Sequence, residues 1–100
     1  MKESKMTEKY AWIIDKDHTD FVGGGLLVTE NMDEHVANEL LKDGKGLKFR
    51  LYDDDKILYY EGRMVGDFEG VGDFDPLDWA MYNAGCTGMK TYYKGKWEWL

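Results

Sequence analysis

Residues 47–53, LKFRLYD, alternate strictly, with Leu47, Phe49 and Leu51 on one side and Lys48, Arg50 and Tyr52 on the other. A period of two assigns each set to one face of a pleated strand, so this stretch is built to be half-buried. After the turn DDDK, ILYYEGRMV (57–65) resumes as a strand, and 47–65 is expected to form a hairpin. A second hairpin is expected where GMKTYYK and KWEWL flank Lys94-Gly95, glycine supplying the positive φ of a tight turn. There Met89, Thr91 and Tyr93 share a direction, and Lys96, Glu98 and Leu100 face opposite to Trp97 and Trp99. KYAWIID (9–15) reads as a first strand and LLVT (26–29) as a short extended segment.

One helix is expected over about 31–43. Asn31 can cap it, with Glu34 three residues on, and Gly44 can stop it just after Lys42. Met32, Val36 and Leu40, with Ala37 and Leu41 beside them, form an apolar face at helical spacing. PLDWAMYNAGC is expected to hold one short helical turn after Pro76 and then a loop. The pattern predicts a single α+β domain over 1–100, residues 1–8 being a flexible tail. Its core is a twisted, mostly antiparallel sheet of four or five strands with the helix across one face.

Charge is distributed unevenly. The chain carries a net −7, and residues 53–78 hold nine carboxylates against Lys56 and Arg63, so that segment alone is −7. The other 74 residues, with eleven acids and eleven bases, are neutral. Solubility needs charge, but it does not need the charge concentrated in one segment, where self-repulsion costs stability. Phe68, Phe74 and Trp79 interrupt this Gly-rich acidic stretch, either to pin it onto the sheet or to serve as apolar anchors for a partner. The other aromatics, Tyr59, Tyr60, Tyr92, Tyr93, Trp97 and Trp99, are expected in the core or in cross-strand pairs.

Most specific chemistries find no pattern to support them. An EF-hand loop fails from Asp53, which puts Ile57 and Leu58 where a ligand and a glycine are needed, and from Asp73, which puts Leu77 and Asp78 there. Cys86 is the only cysteine, which excludes an intrachain disulfide and a Cys-based zinc site and agrees with a reducing cytoplasm. NAGCTG places it between glycines, where His18 offers a general base; His35 is expected on the helix surface. No phosphate loop surrounds Gly23–Gly25, and a −7 chain lacks the cationic footprint for direct nucleic-acid binding. MKESKMTEKY has no signal-peptide core and no apolar run reaches membrane-spanning length, so a cytoplasmic protein is expected.

The segments YAWIIDKDH, KFRLYDDD, LYYEGRMVGD, PLDWAMYNAGCTG and KWEWL, in that order, resemble a family of small acidic uncharacterised proteins of bacterial genomes, plasmids and phages. NAGCTG and YYEGR carry the resemblance most specifically, and residues 20–45 depart from it. It supplies no catalytic residues. It implies a mobile-element setting, in which small acidic proteins act as inhibitors of host defence nucleases, anti-CRISPR and anti-restriction proteins among them.

The expectation is therefore a protein that binds and inhibits a basic, nucleic-acid-handling host protein by offering an acidic surface in place of nucleic acid. Its candidate residues are Asp53, Asp54, Asp55, Asp67, Phe68, Glu69, Asp73, Phe74, Asp75, Asp78 and Trp79. No cofactor, metal or catalytic residue is implied. The alternatives are a small enzyme or ligand-binding protein using Cys86 with His18, and an accessory domain without a specific partner.

Overall fold

The computed structural model of the protein describes residues 9–19, 23–67 and 74–100. Along these residues run β1 (Tyr10–Asp17), β2 (Leu26–Glu30), α1 (Glu34–Leu41), a 3₁₀ turn (Lys42–Gly44), β3 (Leu47–Tyr52), β4 (Leu58–Gly66), α2 (Asp75–Ala84), β5 (Gly88–Tyr93) and β6 (Lys96–Trp99). The strands form one antiparallel sheet in the order β2-β1-β4-β3-β5-β6. The fold is α+β. Among the described residues it has six strands rather than four or five, because Leu26–Glu30 pairs in full with Ile14–Tyr10.

Alternation decides what each side of the sheet buries. Register sets Trp12 opposite Met64, Leu51 opposite Tyr60 and Leu51 opposite Met89, so their side chains share one face. With Tyr10, Ile14 and Phe49 they make the core, and α2 covers it. Phe49 lies opposite Gly62, whose missing side chain is required: a Cβ there would sit 2.1 Å from the Ile13 carbonyl oxygen and 2.6 Å from the Phe49 ring.

α2 is a full helix of ten residues where the sequence predicted one turn. Pro76 enters it within the first turn, where its missing N–H costs nothing. Pro76 and Ala80, four apart, are buried, and Gly85 ends the helix in a left-handed conformation at φ 76°. The helix is pinned by Asp75, which accepts a hydrogen bond from Trp12 Nε1 at 2.9 Å. Trp79 packs obliquely against Trp12 and Tyr60, with ring centroids 5.5 and 5.1 Å away.

α1 lies on the opposite face, against β1 and β4. The expected inward set of Met32, Val36 and Leu40 is corrected at Val36 and Leu40. Val36 and Leu40 are 46% and 42% exposed, and the buried residues are Ala37 and Leu41. The cap explains the rotation. Asp33, not Asn31, accepts the hydrogen bond from the His35 N–H, and Asn31 lies outside the helix at φ 54°. At the other end Arg63 fixes the helix. Its guanidinium grips Asp15 through Nε and Nη2 at 2.8 and 2.9 Å and donates through Nη1 to the carbonyls of Leu41 and Lys45. The Leu41 carbonyl is an orphan of the helix end and Lys45 lies just past the 3₁₀ turn, so this contact fastens the end of α1 to the sheet.

Candidate functional site

The acidic residues that are near in sequence are divided by the fold. Asp53–Asp55 form the turn between β3 and β4, while Asp67 follows the far end of β4, its N–H bonded to the Lys9 carbonyl at 2.8 Å. The nine residues of β4 separate the two by about 26 Å, at roughly 3.3 Å per step. Phe68, Glu69 and Asp73 lie outside the described residues.

Several of the remaining carboxylates are engaged in holding the fold. Asp53 accepts from the backbone N–H groups of Asp55 and Ile57 at 2.8 and 2.9 Å, closing the turn. It also takes a hydrogen bond from the Tyr59 hydroxyl, and that bond, with the repulsion of Asp53's charge, raises the Tyr59 pKa. Asp54 accepts from Thr87 Oγ1 at 2.7 Å and ties the turn to the chain just after α2. Asp75 accepts a hydrogen bond from Trp12, and Trp79, half-buried, packs against the core.

A smaller surface does come together. Of the predicted residues, Asp54, Asp55, Asp67, Phe74 and Asp78 are exposed, Asp67 at the other end of β4 from Asp54 and Asp55. Phe74 and Asp78 stand on the outer side of α2, which also carries Met81 and Tyr82; Tyr82 is 91% exposed. Thr87, bonded to Asp54, brings the C-terminal end of that helix beside the acidic turn. Met81 and Tyr82 were not foreseen. The signal was present in Pro76 and Ala80, which once buried place 78, 81 and 82 outward by helical geometry.

The Cys86–His18 pairing does not form. Cys86 is fully buried in the core beneath α2, and burial, with the nearby charge of Asp53 in a lesser role, pushes its thiol up to about 11. His18 Nε2 instead bonds Glu61 at 2.8 Å, and Glu61 alternates with the buried Tyr60, so it points to the other face of the sheet. Burial alone would raise the Glu61 pKa, but hydrogen bonds from His18 and Arg50 outweigh it and hold the carboxyl below its ordinary range. Among the described residues no group of three or more His, Cys, Asp or Glu is placed to hold a metal. No helix among them is long and apolar enough to cross a membrane.

The face that α1 leaves uncovered was not expected to be a site. Across β3, β5 and β6 it presents Lys48, Arg50, Tyr52, Lys90, Tyr92, Trp97 and Trp99, set by registers that pair Arg50 with Lys90, Lys90 with Trp99 and Tyr92 with Trp97. Rings and cations interleave. Arg50 stacks over Trp97 at 4.0 Å from the ring centroid, and Lys90 lies 4.6 Å from Trp99 and 5.6 Å from Tyr52. Tyr92 and Trp97 lie 5.2 Å apart, Tyr52 and Trp99 5.1 Å apart. The aromatics are cross-strand pairs, as their alternation implied, but they face solvent. A groove of about 490 Å³ adjoins them, walled by Lys16, Lys48, Arg50, Glu61, Arg63 and Trp97.

The chain matches no family model, and neither a curated protein nor a solved structure is found to be similar to it.

Proposed function

We propose that this is a binding protein that docks on a basic, nucleic-acid-handling protein through the outer side of α2 and the adjoining acidic turn. Bound there, it occupies the place of nucleic acid and inhibits the partner. The observation that carries this reading is the exposure of Met81 and Tyr82 on α2 and of Phe74 at its N-cap, on a helix that also carries Asp78 and ends beside the turn of Asp54 and Asp55. Large exposed apolar side chains within a charged rim are the composition of a docking surface, with aromatics as anchors and charges setting partner choice and on-rate. A basic groove is the complementary surface. Host nucleases of the CRISPR and restriction type present such grooves, and the activity proposed is inhibition of the anti-CRISPR or anti-restriction kind.

The test is inhibition of purified CRISPR effectors and restriction nucleases on a fluorescent DNA substrate, with affinity measured at low and high salt. Tyr82→Ala and Met81→Ala are each expected to weaken binding about tenfold without changing its salt dependence. Asp55→Lys with Asp78→Lys is expected to weaken binding mainly at low salt, since exposed charges are screened within about 10 Å at 0.1 M. Asp54 is left intact because it holds Thr87. Inhibition unchanged in both sets of variants overturns the reading.

A further inference from the structure

We propose that the uncovered face of β3, β5 and β6 binds single-stranded nucleic acid, its bases stacking on Trp97, Trp99 and Tyr92 and its phosphates meeting Lys48, Arg50 and Lys90. This inference does not depend on docking by α2, which covers the other side of the sheet.

Charge is the first argument. The chain as a whole is −7, yet this face concentrates cations. Lys48, Arg50 and Lys90 stand on it, and a bulge after Ile14 brings Lys16 opposite Glu61 at its border. Of the acids nearby, Asp15 is paired with Arg63 and Glu61 with His18 and Arg50, while Asp53 and Asp54 of the β3–β4 turn border Trp99 at the edge of the face. A surface of opposite sign to its own protein is not explained by solubility.

The rings are the second argument. Cations lying over aromatic faces are a common way to shield an open sheet, and here they do so incompletely: Tyr92 and Trp99 remain 40% and 48% exposed with Lys48 and Lys90 above them. Apolar ring surface is left to be covered. The Arg50 guanidinium on Trp97 adds a second flat layer on which a base can stack. The groove beside Trp97 then receives the backbone, because its floor at Gly62 and Phe49 is bare main chain on this side and its walls carry Lys16, Lys48 and Arg50.

These features favour an unpaired strand over a duplex. A flat array of rings needs base faces that a duplex hides within its stack, and single-strand binders combine a cationic track with such stacking platforms. Three or four cations on a chain of −7 supply too little phosphate neutralisation to hold a duplex by charge alone. An acidic peptide would satisfy the lysines and leave the rings wet.

The experiment titrates the protein with fluorescein-labelled dT12 and rU12, reading anisotropy and tryptophan quenching, alongside light scattering of the protein alone. Expected are micromolar binding, quenching on saturation, and a log–log salt slope shallower than the value of about −2 that three phosphate contacts on a single strand imply. Trp99→Ala and the double reversal Lys48→Glu with Lys90→Glu are each expected to weaken binding about tenfold, while Lys9→Glu on the far part of the sheet changes it little. Because Trp99→Ala could disturb β6, Gly88→Ala provides a second route: a Cβ there would lie 2.9 Å from the Trp99 ring and must displace it. Equal binding by wild type, Trp99→Ala and the lysine double variant overturns the proposal. So does absence of oligonucleotide binding, whether the protein stays monomeric or self-associates; in the latter case the face is a contact between copies.

Discussion

Cys86 is the only thiol, and its surroundings give its reactivity a definite scale. The side chain is fully buried, and burial, helped by Asp53, raises the thiol from an ordinary 9.0 to about 11. Only the thiolate attacks an alkylating agent. Two units of pKa reduce the thiolate about 100-fold at any pH below both values, and lack of access slows the reaction further. Iodoacetamide at pH 8 should therefore modify the native protein at least about 100-fold more slowly than the chain in denaturant, with mass spectrometry following the adduct. Cys86→Ala should leave partner binding and oligonucleotide binding in place.

The same raised value makes stability depend on pH. A thiol that is harder to ionise when folded favours the folded state while both forms are protonated, so its contribution is complete below pH 9 and is lost as pH rises through about 11. The whole difference is of the order of 3 kcal/mol, and about 1.4 kcal/mol of it should be gone by pH 10. Burial also pushes the Tyr60 hydroxyl above its ordinary value, a second alkaline group that contributes to the pH dependence, so the measurement must isolate the cysteine. Urea unfolding of wild type and Cys86→Ala at pH 8, 9 and 10 does so: the gap between the two proteins should narrow as pH rises. A native alkylation rate within tenfold of the unfolded rate, or a gap that stays constant, would refute the reasoning and reopen a reactive Cys86.

Two further outcomes concern α1. Leu41→Ala should cost about 2–5 kcal/mol as a large-to-small change in a buried site, whereas Leu40→Ala, at a half-exposed position, should cost less than about 1 kcal/mol by thermal or urea unfolding. Equal costs would mean that the helix meets the sheet in a different phase. Arg63→Lys keeps the charge but loses the bidentate grip on Asp15 and the bonds to the Leu41 and Lys45 carbonyls, so it should destabilise by about 2–3 kcal/mol; a change under 0.5 kcal/mol would show that Arg63 does not anchor the helix.

The strands were legible because alternation is a local property. LKFRLYD and KWEWL each declare two faces whatever lies around them. The phase of α1 was not legible, since Met32–Val36–Leu40 and Ala37–Leu41 are both apolar at helical spacing and differ by one residue, about 100° of rotation. That choice was made by Asp33 as cap, and the helix end is fastened by Arg63, which comes from a strand about thirty residues later. The spatial arrangement of the acidic residues was not legible for a related reason. Residues 53–78 are contiguous in sequence, but β4 carries the chain the length of the sheet, so Asp53–Asp55 and Asp67 finish at opposite ends. Nor does a list of charges show which carboxylates a turn, a threonine or an indole N–H will occupy, as happens to Asp53, Asp54 and Asp75.

The uncovered face follows from dimensions rather than from any single residue. Six strands at about 4.8 Å spacing make a sheet roughly 24 Å wide, while the eight residues of α1 extend about 12 Å. A helix of that length, fastened by Arg63 over β1 and β4, cannot also shield β3, β5 and β6. The outward positions of those three strands must then either be polar or be covered by something else. They are neither wholly polar nor covered: four rings stand among three cations, in a protein whose remaining charge is strongly negative. The negative field acts on both sides of the sheet. It helps the outer side of α2 meet a basic groove, and it opposes the approach of phosphates to the cationic face until salt screens it beyond roughly 8–10 Å. Oligonucleotide affinity should therefore depend less steeply on salt than the phosphate contacts alone dictate, because screening weakens the local attraction and the distant repulsion together. Protein docking through α2 has no such cancellation, and its affinity should fall monotonically as salt rises.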